Sequence, residues 1–481
     1  MEIVEATHRD GTFTQFGEKP AHGLKQLMMI KRTISATVLL FSAAILLAIW
    51  PLPNTMALRN VALLCGGVAS ALLLCKELPQ LTQRRAWPVY ILLGFFVWLA
   101  LHLLLLAGNL EEQWREFTGE WLRTFLATLM GLALGLLLAQ PERQLSPLLQ
   151  KIQEPLLICG LAGTVVIFCV RYAYEVLRTG QWIHQDFYMT PYLGKTPLVI
   201  FGSLFIPVMF IKILSARDRK SPTTWYFLAP LGIAGTIFAD YFANTKNGMA
   251  MFFLLFVYFL FKVAGTEKKH SAQRNNFFTM LFACILLAGF VLKNHVESNP
   301  AWSNIIADYK ISSQIELHSY WRDKTSPLPT NQNGIAVNVS TYERVSWAHA
   351  GLELLKENPF GYGLIHHSFG ALAIQKWSDF HKPDGRVRGA THSGWMDFLL
   401  GFGLPGLLMV CLPLGVSYLR AIHRTDFWGS YVVWAVPVIF VSYLITEVCT
   451  DHFIELLFFI TAMFCNLTLK GADRASGAAA D

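Results

Sequence analysis

Runs of about 20 apolar residues recur along this chain, and no other feature constrains its fold as strongly. A helix needs about 20 such residues to cross the hydrocarbon core of a bilayer. Runs of this kind lie at 33–51, 56–75, 88–107, 122–139, 154–172, 196–214, 224–242, 248–264, 277–293, 394–418, 428–446 and 453–469. Because backbone hydrogen bonds must be satisfied inside lipid, each run is expected to be a helix. The sequence therefore predicts an all-α polytopic membrane protein with about 12 transmembrane helices.

The composition agrees with this prediction and excludes several other classes of protein. Only 15% of the residues are charged and 54% are hydrophobic, whereas a soluble domain has about 25% charged residues to cover its surface. An ordinary cytosolic enzyme and a disordered chain are therefore excluded. The eight cysteines lie in or beside apolar runs without a Cys-x-x-Cys pair, so neither a disulfide framework nor a zinc site is predicted.

The distribution of basic residues predicts the orientation of the chain. Lysine and arginine total 39 against 32 acidic residues, and alternate short connections collect most of them, including Arg84, Arg85, Arg217 and Lys220. The positive-inside rule places these connections and both termini in the cytoplasm. The polar start of the chain lacks the basic region of a signal peptide, so the first span is expected to remain as an anchor.

The predicted organisation has five parts. They are a cytoplasmic tail at 1–32, nine spans at 33–293, a large external loop at 294–391, three spans at 392–469 and a second cytoplasmic tail at 470–481. The loop is near the smallest size that folds alone, so we expect a mostly helical cap resting on the bundle. No internal repeat of fixed period is visible, which disfavours an inverted-repeat transporter.

One loop segment, 340–356, is predicted to be an amphipathic helix with a capping residue at its start. At about 100° per residue, Val345 and Trp347 share its apolar side, Ser346 falls on the polar side, and Arg344 falls in the middle of the apolar side. Burying an unpaired guanidinium costs several kcal/mol, so it needs an anion or carbonyls. A bound diphosphate would provide this. Snorkelling to water, or pairing with a structural carboxylate, is the alternative.

The loop re-enters the membrane through a basic segment, 382–395. This segment brings Arg386, Arg388 and His392 to the membrane surface. Thr391 can cap the tenth span, which places His392 in the first helical turn, where the helix dipole disfavours an imidazolium. A neutral imidazole can accept a proton, as a general base must. The alternative is an interfacial histidine that only hydrogen-bonds a carbonyl.

Two glycine-containing stretches flank this region. Gly361 and Gly363 predict a turn or a close approach of the backbone to another group. Gly403 and Pro405 predict an interruption of the tenth span.

A third polar feature is the short turn 244–248 between the seventh and eighth spans. Lys246 lies at its tip, and a short turn between two helices holds a lysine more firmly than a long loop does. Lys246 can therefore supply a second charge to a bound phosphate. A snorkelling lysine, or an ion pair with Asp240, is the alternative.

Three acidic residues near the ends of the last two spans are spaced by four: Glu447, Asp451 and Glu455. If helical, they share one face and can orient His392 or bind a sugar, although such a row is also typical of a solvated face.

The absence of several motifs restricts the chemistry. The sequence contains no His-Glu-x-x-His zinc helix, no Gly-x-x-x-x-Gly-Lys phosphate loop, no Gly-x-Ser-x-Gly elbow and no Asp-x-Asp pair in an external loop. No cofactor or metal is predicted, and the charge of a diphosphate would have to be met by arginine and lysine.

Two motifs taken together resemble the signature of a known family. Pro359-Phe-Gly-Tyr-Gly363 precedes Thr391-His-Ser-Gly-Trp-Met-Asp-Phe-Leu-Leu-Gly-Phe-Gly-Leu-Pro-Gly406, and Arg344-Val-Ser-Trp347 lies upstream. This combination, with twelve spans and one large late loop, is similar to the O-antigen ligase and polymerase superfamily. Members often have a Ser-Arg-Gly-like turn where this chain has Thr245-Lys-Asn-Gly248. Lys246 therefore keeps the charge but loses bidentate geometry.

The resemblance implies a metal-independent, inverting glycosyltransferase in a bacterial inner membrane. Such ligases transfer O-antigen glycan from undecaprenyl diphosphate to a sugar hydroxyl of lipid A-core on the periplasmic face, which completes lipopolysaccharide. Its partners are thus these two lipids. The resemblance assigns His392 and Arg344 to catalysis, and to diphosphate or substrate binding it assigns Arg388, Lys246, Arg386, Gly361 and Gly363.

Two kinds of alternative remain open from the sequence. An O-antigen polymerase or a protein O-oligosaccharyltransferase of the same superfamily would use the same residues on another acceptor. A transporter or flippase for the lipid-linked glycan is an alternative from a different class. Such a protein needs charged residues through the bundle, whereas the basic residues selected above are predicted at its outer rim.

Overall fold

The computed structural model describes residues 19–182, 193–218, 222–267, 304–380, 389–446 and 452–469, with a few isolated positions between 286 and 297. Within these ranges the regular secondary structure is helical, apart from one isolated bridge between Thr330 and Ala336. The prediction of an all-α polytopic membrane protein is confirmed.

Most of the described helices belong to the membrane bundle. They are α1 (Lys19–Ile49), α2 (Met56–Leu81), α3 (Trp87–Leu105), α4 (Leu110–Glu116), a π-helical turn (Phe117–Trp121), α5 (Leu122–Ala139), α6 (Pro141–Gln144), α7 (Pro147–Thr179), α8 (Lys195–Arg217), α9 (Trp225–Phe242) and α10 (Lys246–Glu267). After the loop come α14 (Gly394–Ala421), α15 (Phe427–Ile445) and α16 (Phe453–Leu467).

Nine helical segments in the described ranges are long and apolar enough to cross a membrane. Two further apolar helices, α9 with 18 residues and the shorter α16 with 15, occupy the seventh and twelfth predicted spans. The ninth predicted span, 277–293, lies almost entirely outside the described residues.

The helices α5 and α16 are in contact at the centre of the bundle, and small residues allow their backbones to approach closely. A Cβ atom added at Gly131 would lie 2.1 Å from the carbonyl oxygen of Phe459, and one at Gly135 would lie 2.3 Å from that of Met463. Asn466 donates from Nδ2 to the Leu132 carbonyl at 2.9 Å. This spacing of four with close backbone approach is a common way for spanning helices to pack.

An aromatic cluster joins this pair of helices to α3 and α14. Phe95 lies within 5.0–6.0 Å, between ring centroids, of Trp121, Phe398, Phe402 and Phe458. All five side chains are buried. The cluster holds the first half of α14 against the bundle core.

Three further helices lie in the loop: α11 (Ile305–Ser312), α12 (Val339–Glu357) and α13 (Ser368–Lys376). Their own hydrophobic core includes Trp321, Trp347 and Phe369, and it is continued by Met396 and Leu400 of α14. The cap therefore rests on the first turns of α14. We call this end of the bundle, where α8, α10, α14 and α16 begin, the loop face.

Candidate active site

Arg344 lies in the second turn of α12, which Asn338 caps by accepting a hydrogen bond from the Thr341 N–H at 3.2 Å. The guanidinium is half-buried and donates from Nη1 to Ser340 Oγ at 2.6 Å. Ser340, which accepts this hydrogen bond, lies one helical turn before Arg344. The arginine is thus held at the edge of the cap rather than inside its core.

The predicted orientation of this helix was wrong. Its buried face consists of Tyr342, Ser346, Trp347, Ala350 and Leu354, and Ser346 is fully buried because its Oγ donates to the Ser312 carbonyl at 2.8 Å. The prediction placed Ser346 on the polar side of the helix. A hydrogen bond to α11 removes the cost of burying this hydroxyl.

His392 does not lie in the first turn of α14, as the sequence predicted. The helix begins at Gly394 with Ser393 as its N-cap, so His392 precedes the cap by one residue. Thr391 instead binds Asp397, whose Oδ1 accepts from the Thr391 N–H at 2.7 Å and from its Oγ1 at 2.8 Å. Asp397 is buried and therefore fixes the backbone next to His392.

The imidazole of His392 packs against the cap. Its ring centroid is 5.1 Å from that of Trp347, and the two rings are tilted by 42°. Trp347 is buried and donates from Nε1 to the Trp321 carbonyl at 3.3 Å. Because Arg344 lies three residues before Trp347 on α12, His392 and Arg344 approach the same side of this helix.

Lys246 is the first residue of α10, and the tight turn between α9 and α10 is confirmed. Inside the turn, Asp240 Oδ1 accepts a hydrogen bond from Thr245 Oγ1 at 2.7 Å. A Cβ atom at Gly248 would lie 2.1 Å from that same Oδ1, so only glycine fits there. The acid that the sequence offered as a partner for Lys246 is thus bonded within the turn.

Asp308 of α11 fixes the start of the next cap helix. It is buried and accepts from Asn331 Nδ2 at 2.8 Å and from the Asn338 N–H at 3.0 Å. Because Asn338 is the N-cap of α12, these bonds join α11 to the beginning of α12.

Gly361 and Gly363 form a backbone clamp on α14. Both have positive φ, of 84° and 97°. The Tyr362 N–H donates to the Leu400 carbonyl at 2.8 Å, and the Gly363 N–H donates to Gly401 at 2.6 Å. On the other side, Gln113 Nε2 donates to the Tyr362 carbonyl at 2.8 Å. This geometry gives the two glycines a structural role, and their predicted contact with substrate stays a prediction.

The clamp meets α14 where that helix is interrupted. Gly403 has φ of 67° and ψ of −174°, which confirms the predicted break. A Cβ atom there would lie 2.3 Å from the Pro359 carbonyl oxygen. Glu116 holds the same segment from the bundle, since its carboxylate accepts from the Ile365 N–H at 2.8 Å and from Trp121 Nε1 at 3.0 Å.

Some of the predicted residues fall outside the described ranges. They are Arg386, Arg388, Glu447 and Asp451. Glu455 is described and is completely buried, with Oε2 accepting from Trp50 Nε1 at 2.9 Å and Oε1 accepting from Arg123 Nε at 2.8 Å. Because its oxygens are bonded within the bundle, Glu455 is neither part of a solvated face nor a sugar-binding group.

Two tyrosines near the site are poor proton acceptors. Burial raises the pKa of Tyr342, whose hydroxyl donates to the His318 carbonyl at 2.9 Å. Burial, followed by the charge of Glu112, also raises the pKa of Tyr362. Both phenols therefore stay protonated at neutral pH, so neither is the candidate base.

The arrangement places the imidazole of His392 against the cap helix that carries the guanidinium of Arg344. Such a site can accept a proton from one group and stabilise negative charge on another. In the described part of the chain, no group of three His, Cys, Asp or Glu side chains could hold a metal ion.

Sequence reasoning missed three members of this site. Trp347 was assigned only to an apolar face, and Lys195 was given no functional role. Asp308 was not singled out, because its partners Asn331 and Asn338 lie 23 and 30 residues further along the chain. The residues next to Asp308 in the sequence therefore do not indicate which groups it binds.

Comparison with known proteins gives one family match, which covers the loop and the helices on either side of it. Residues 195–411 match the family model described as O-antigen ligase. No curated protein matches the chain. The matched range begins at Lys195 and includes Lys246, Arg344, both clamp glycines and His392.

Proposed function

This chain belongs through residues 195–411 to the O-antigen ligase superfamily, and we propose that it transfers O-antigen glycan from undecaprenyl diphosphate to lipid A-core. One observation supports this most strongly. The helix that carries Arg344 contacts His392 through Trp347, so a guanidinium and an imidazole lie on either side of one tryptophan position of the cap. An imidazole and fixed cations are the two elements that glycosyl transfer from a diphosphate requires.

In the proposed reaction, His392 removes the proton from the acceptor hydroxyl as that oxygen attacks the anomeric carbon. The new carbon–oxygen bond forms while the bond from the anomeric carbon to the diphosphate oxygen breaks, with inversion of configuration. The bonding electrons leave with undecaprenyl diphosphate, and the proton is left on the imidazole. General-base catalysis of this kind contributes about 10²–10⁴-fold to a rate.

The cations stabilise the leaving group. Arg344 and Lys246 hold the diphosphate, together with Arg388 and Arg386 from the membrane re-entry segment. Negative charge on the leaving oxygen grows in the transition state, so fixed cations stabilise that state more than the ground state. Arg344 can bind two phosphate oxygens at once, whereas Lys246 acts as a point charge.

The proposed location follows from the substrates and from the basic connections. Both termini lie in the cytoplasm, and the loop face opens to the periplasm of a Gram-negative inner membrane. The donor and acceptor are both lipids with large polar heads. A site between a spanning bundle and its cap therefore meets the reacting groups at the membrane surface.

The test is an acceptor competition with purified protein in detergent. Labelled undecaprenyl-diphosphate glycan is offered with lipid A-core, with a second lipid-linked glycan, or with a protein acceptor. We expect label on lipid A-core. Label only on the lipid-linked glycan or only on protein would identify a polymerase or an oligosaccharyltransferase instead, and no transfer to any of the three would contradict the enzymatic proposal.

A second measurement addresses the source of positive charge. Because arginine and lysine supply it in this proposal, transfer should continue at its full rate after treatment with EDTA. Loss of transfer on chelation, restored by Mg²⁺ or Mn²⁺, would contradict the assignment.

A further inference from the structure

Glu116 is a buried carboxylate of the bundle that binds the backbone of the loop. It is the last residue of α4, and its exposed fraction is 9%. Its oxygens accept from the Ile365 N–H at 2.8 and 3.2 Å and from the His366 N–H at 3.4 Å. Trp121 Nε1 donates to the same carboxylate at 3.0 Å. A carboxylate in the bundle is costly to bury, and these N–H groups offset that cost.

The stretch of loop that this carboxylate holds packs against the start of the membrane re-entry segment. A Cβ atom added at Gly389 would lie 2.3 Å from the His366 carbonyl oxygen and 2.7 Å from His367 Nδ1. The Gly370 N–H donates to the Gly389 carbonyl at 3.3 Å. Gly389 is therefore held by one hydrogen bond and by a close approach to the residue whose N–H Glu116 binds.

Only Ala390 and Thr391 separate Gly389 from His392. Ala390 is buried in the same hydrophobic core as Ile365. Thr391 is fixed through both its N–H and its Oγ1, as described above. Each residue from Gly389 to Thr391 is therefore held by a contact. The direction in which the backbone enters His392 depends on these contacts.

We infer that Glu116 is a positioning residue for His392. It fixes the backbone at Ile365 and His366, this backbone fixes Gly389, and Gly389 leads into the residue that carries the imidazole. The inference rests on the proposed function, in which His392 is the base. Glu116 touches neither the donor nor the acceptor in this account.

The expected effect is on chemistry rather than on donor binding. A shift of about 1 Å in a catalytic group costs about a hundredfold in rate. Loss of Glu116 lets the imidazole move away from the acceptor hydroxyl, so the turnover rate falls. The cations that hold the diphosphate do not contact Glu116 in this account, so affinity for the donor is retained.

Two substitutions at this position separate its hydrogen bonds from its bulk. Glu116→Gln keeps one acceptor oxygen, which can still bind the N–H groups of Trp121 and Ile365, but it turns an amide N–H₂ toward His366. Glu116→Ala removes both oxygens and leaves buried N–H groups without an acceptor. Hydrogen bonds to a charged group are about twice as strong as those to a neutral one, so the glutamine variant should be intermediate.

A double-mutant cycle in the full-length protein in detergent tests the inference. Its members are the wild type, E116A, G389A and the combined variant, with E116Q as the conservative variant. Each is assayed for the kcat of glycan transfer and for affinity for farnesyl diphosphate, a short prenyl diphosphate. E111Q is the matched control, because Glu111 is exposed in the first turn of the same helix. The melting temperature of each variant verifies folding.

We expect E116A to lower kcat about a hundredfold and G389A to lower it about tenfold. E116Q should fall between the wild type and E116A, and E111Q should match the wild type. Affinity for farnesyl diphosphate should stay within about twofold in every variant, because the cations are unchanged. The combined variant should be within about threefold of E116A, since both changes act through one contact, whereas independent effects would multiply to about a thousandfold.

The contrary results are distinct. A wild-type kcat in folded E116A would overturn this inference alone. Multiplied losses in the combined variant would show that Glu116 and Gly389 act separately, and equal losses of kcat and of probe affinity would show a general disruption of the site; either overturns the inference. If E116A does not fold, E116Q takes its place in the cycle and is judged in the same way. No transfer by the wild type would overturn the proposed function, and this inference with it.

Discussion

Replacement of Gly361 by alanine tests the clamp that holds α14 below the candidate site. An added Cβ atom would lie 2.5 Å from the carbonyl carbon and oxygen of Gly401 and 2.6 Å from the amide nitrogen of Gly403. These are backbone atoms, so no side chain can move to make room. The residue also has φ of 84°, where alanine is strained.

The expected cost has two parts. A positive φ costs an L-residue about 1–2 kcal/mol, and overpacking costs about 1–3 kcal/mol. Gly361→Ala should therefore destabilise the protein by about 2–5 kcal/mol. Because the clamp fixes the first half of α14, which begins two residues after His392, glycan transfer should slow as well.

Two matched glycines separate the contributions. Gly180 has φ of 69° with nothing within 4 Å of an added Cβ atom, so Gly180→Ala should incur only the conformational cost. Gly94 lies inside α3 with open space and an ordinary helical backbone, so alanine there should stabilise the helix by about 0.5–1 kcal/mol.

The assay is the melting temperature of each variant in detergent, followed by its transfer rate. From highest to lowest, the expected order of melting temperatures is Gly94→Ala, wild type, Gly180→Ala and Gly361→Ala. A Gly361→Ala variant as stable as Gly180→Ala, with a normal transfer rate, would refute the clamp.

Three further substitutions test other parts of the structure. Asp397→Ala removes the acceptor for the Thr391 N–H and Oγ1, which fixes the backbone next to His392. The kcat should therefore fall at least tenfold, while the KM for the donor stays within twofold. A wild-type kcat would contradict this positioning role. Glu455→Ala removes one of the two carboxylates that pair with Arg123 and leaves Glu120 as the other. Breaking a buried pair costs about 3–5 kcal/mol, so the melting temperature should fall well below that of a matched Glu142→Ala variant on the surface. Burial raises the pKa of Asp426, but the hydrogen bonds and charge of Arg424 outweigh it, so the pKa is lowered. The stabilising effect of Asp426 should therefore be complete above about pH 4 and should decrease as the pH falls through the lowered pKa. A melting-temperature difference between wild type and Asp426→Ala that grows as the pH falls below about 4 would contradict this sign.

The sequence predicted the membrane bundle well because bilayer thickness sets the length of each apolar run. Local chemistry also identified the turn at Lys246 and the break at Gly403. The face of α12 was mispredicted, because the burial of Ser346 depends on a carbonyl of α11 that periodicity does not reveal. Periodicity ranks residues by polarity, whereas packing also depends on hydrogen-bond partners.

The environment of His392 shows the same limit. Thr391 and Ser393 are both good capping residues, and their separate roles depend on where the carboxylate of Asp397 lies. The contact of Trp347 with His392 joins residues 45 positions apart. Such contacts depend on the packing of the cap against the bundle, which no local pattern determines.

The central claim is that His392 acts as a base beside cations that bind the donor independently of it. The most direct measurement compares His392→Ala with the wild type in two assays: transfer of labelled glycan to lipid A-core, and affinity for farnesyl diphosphate. The account predicts that transfer falls by at least 10²-fold while affinity for the probe changes less than threefold. Normal transfer by the variant, or equal losses of transfer and binding, would contradict it.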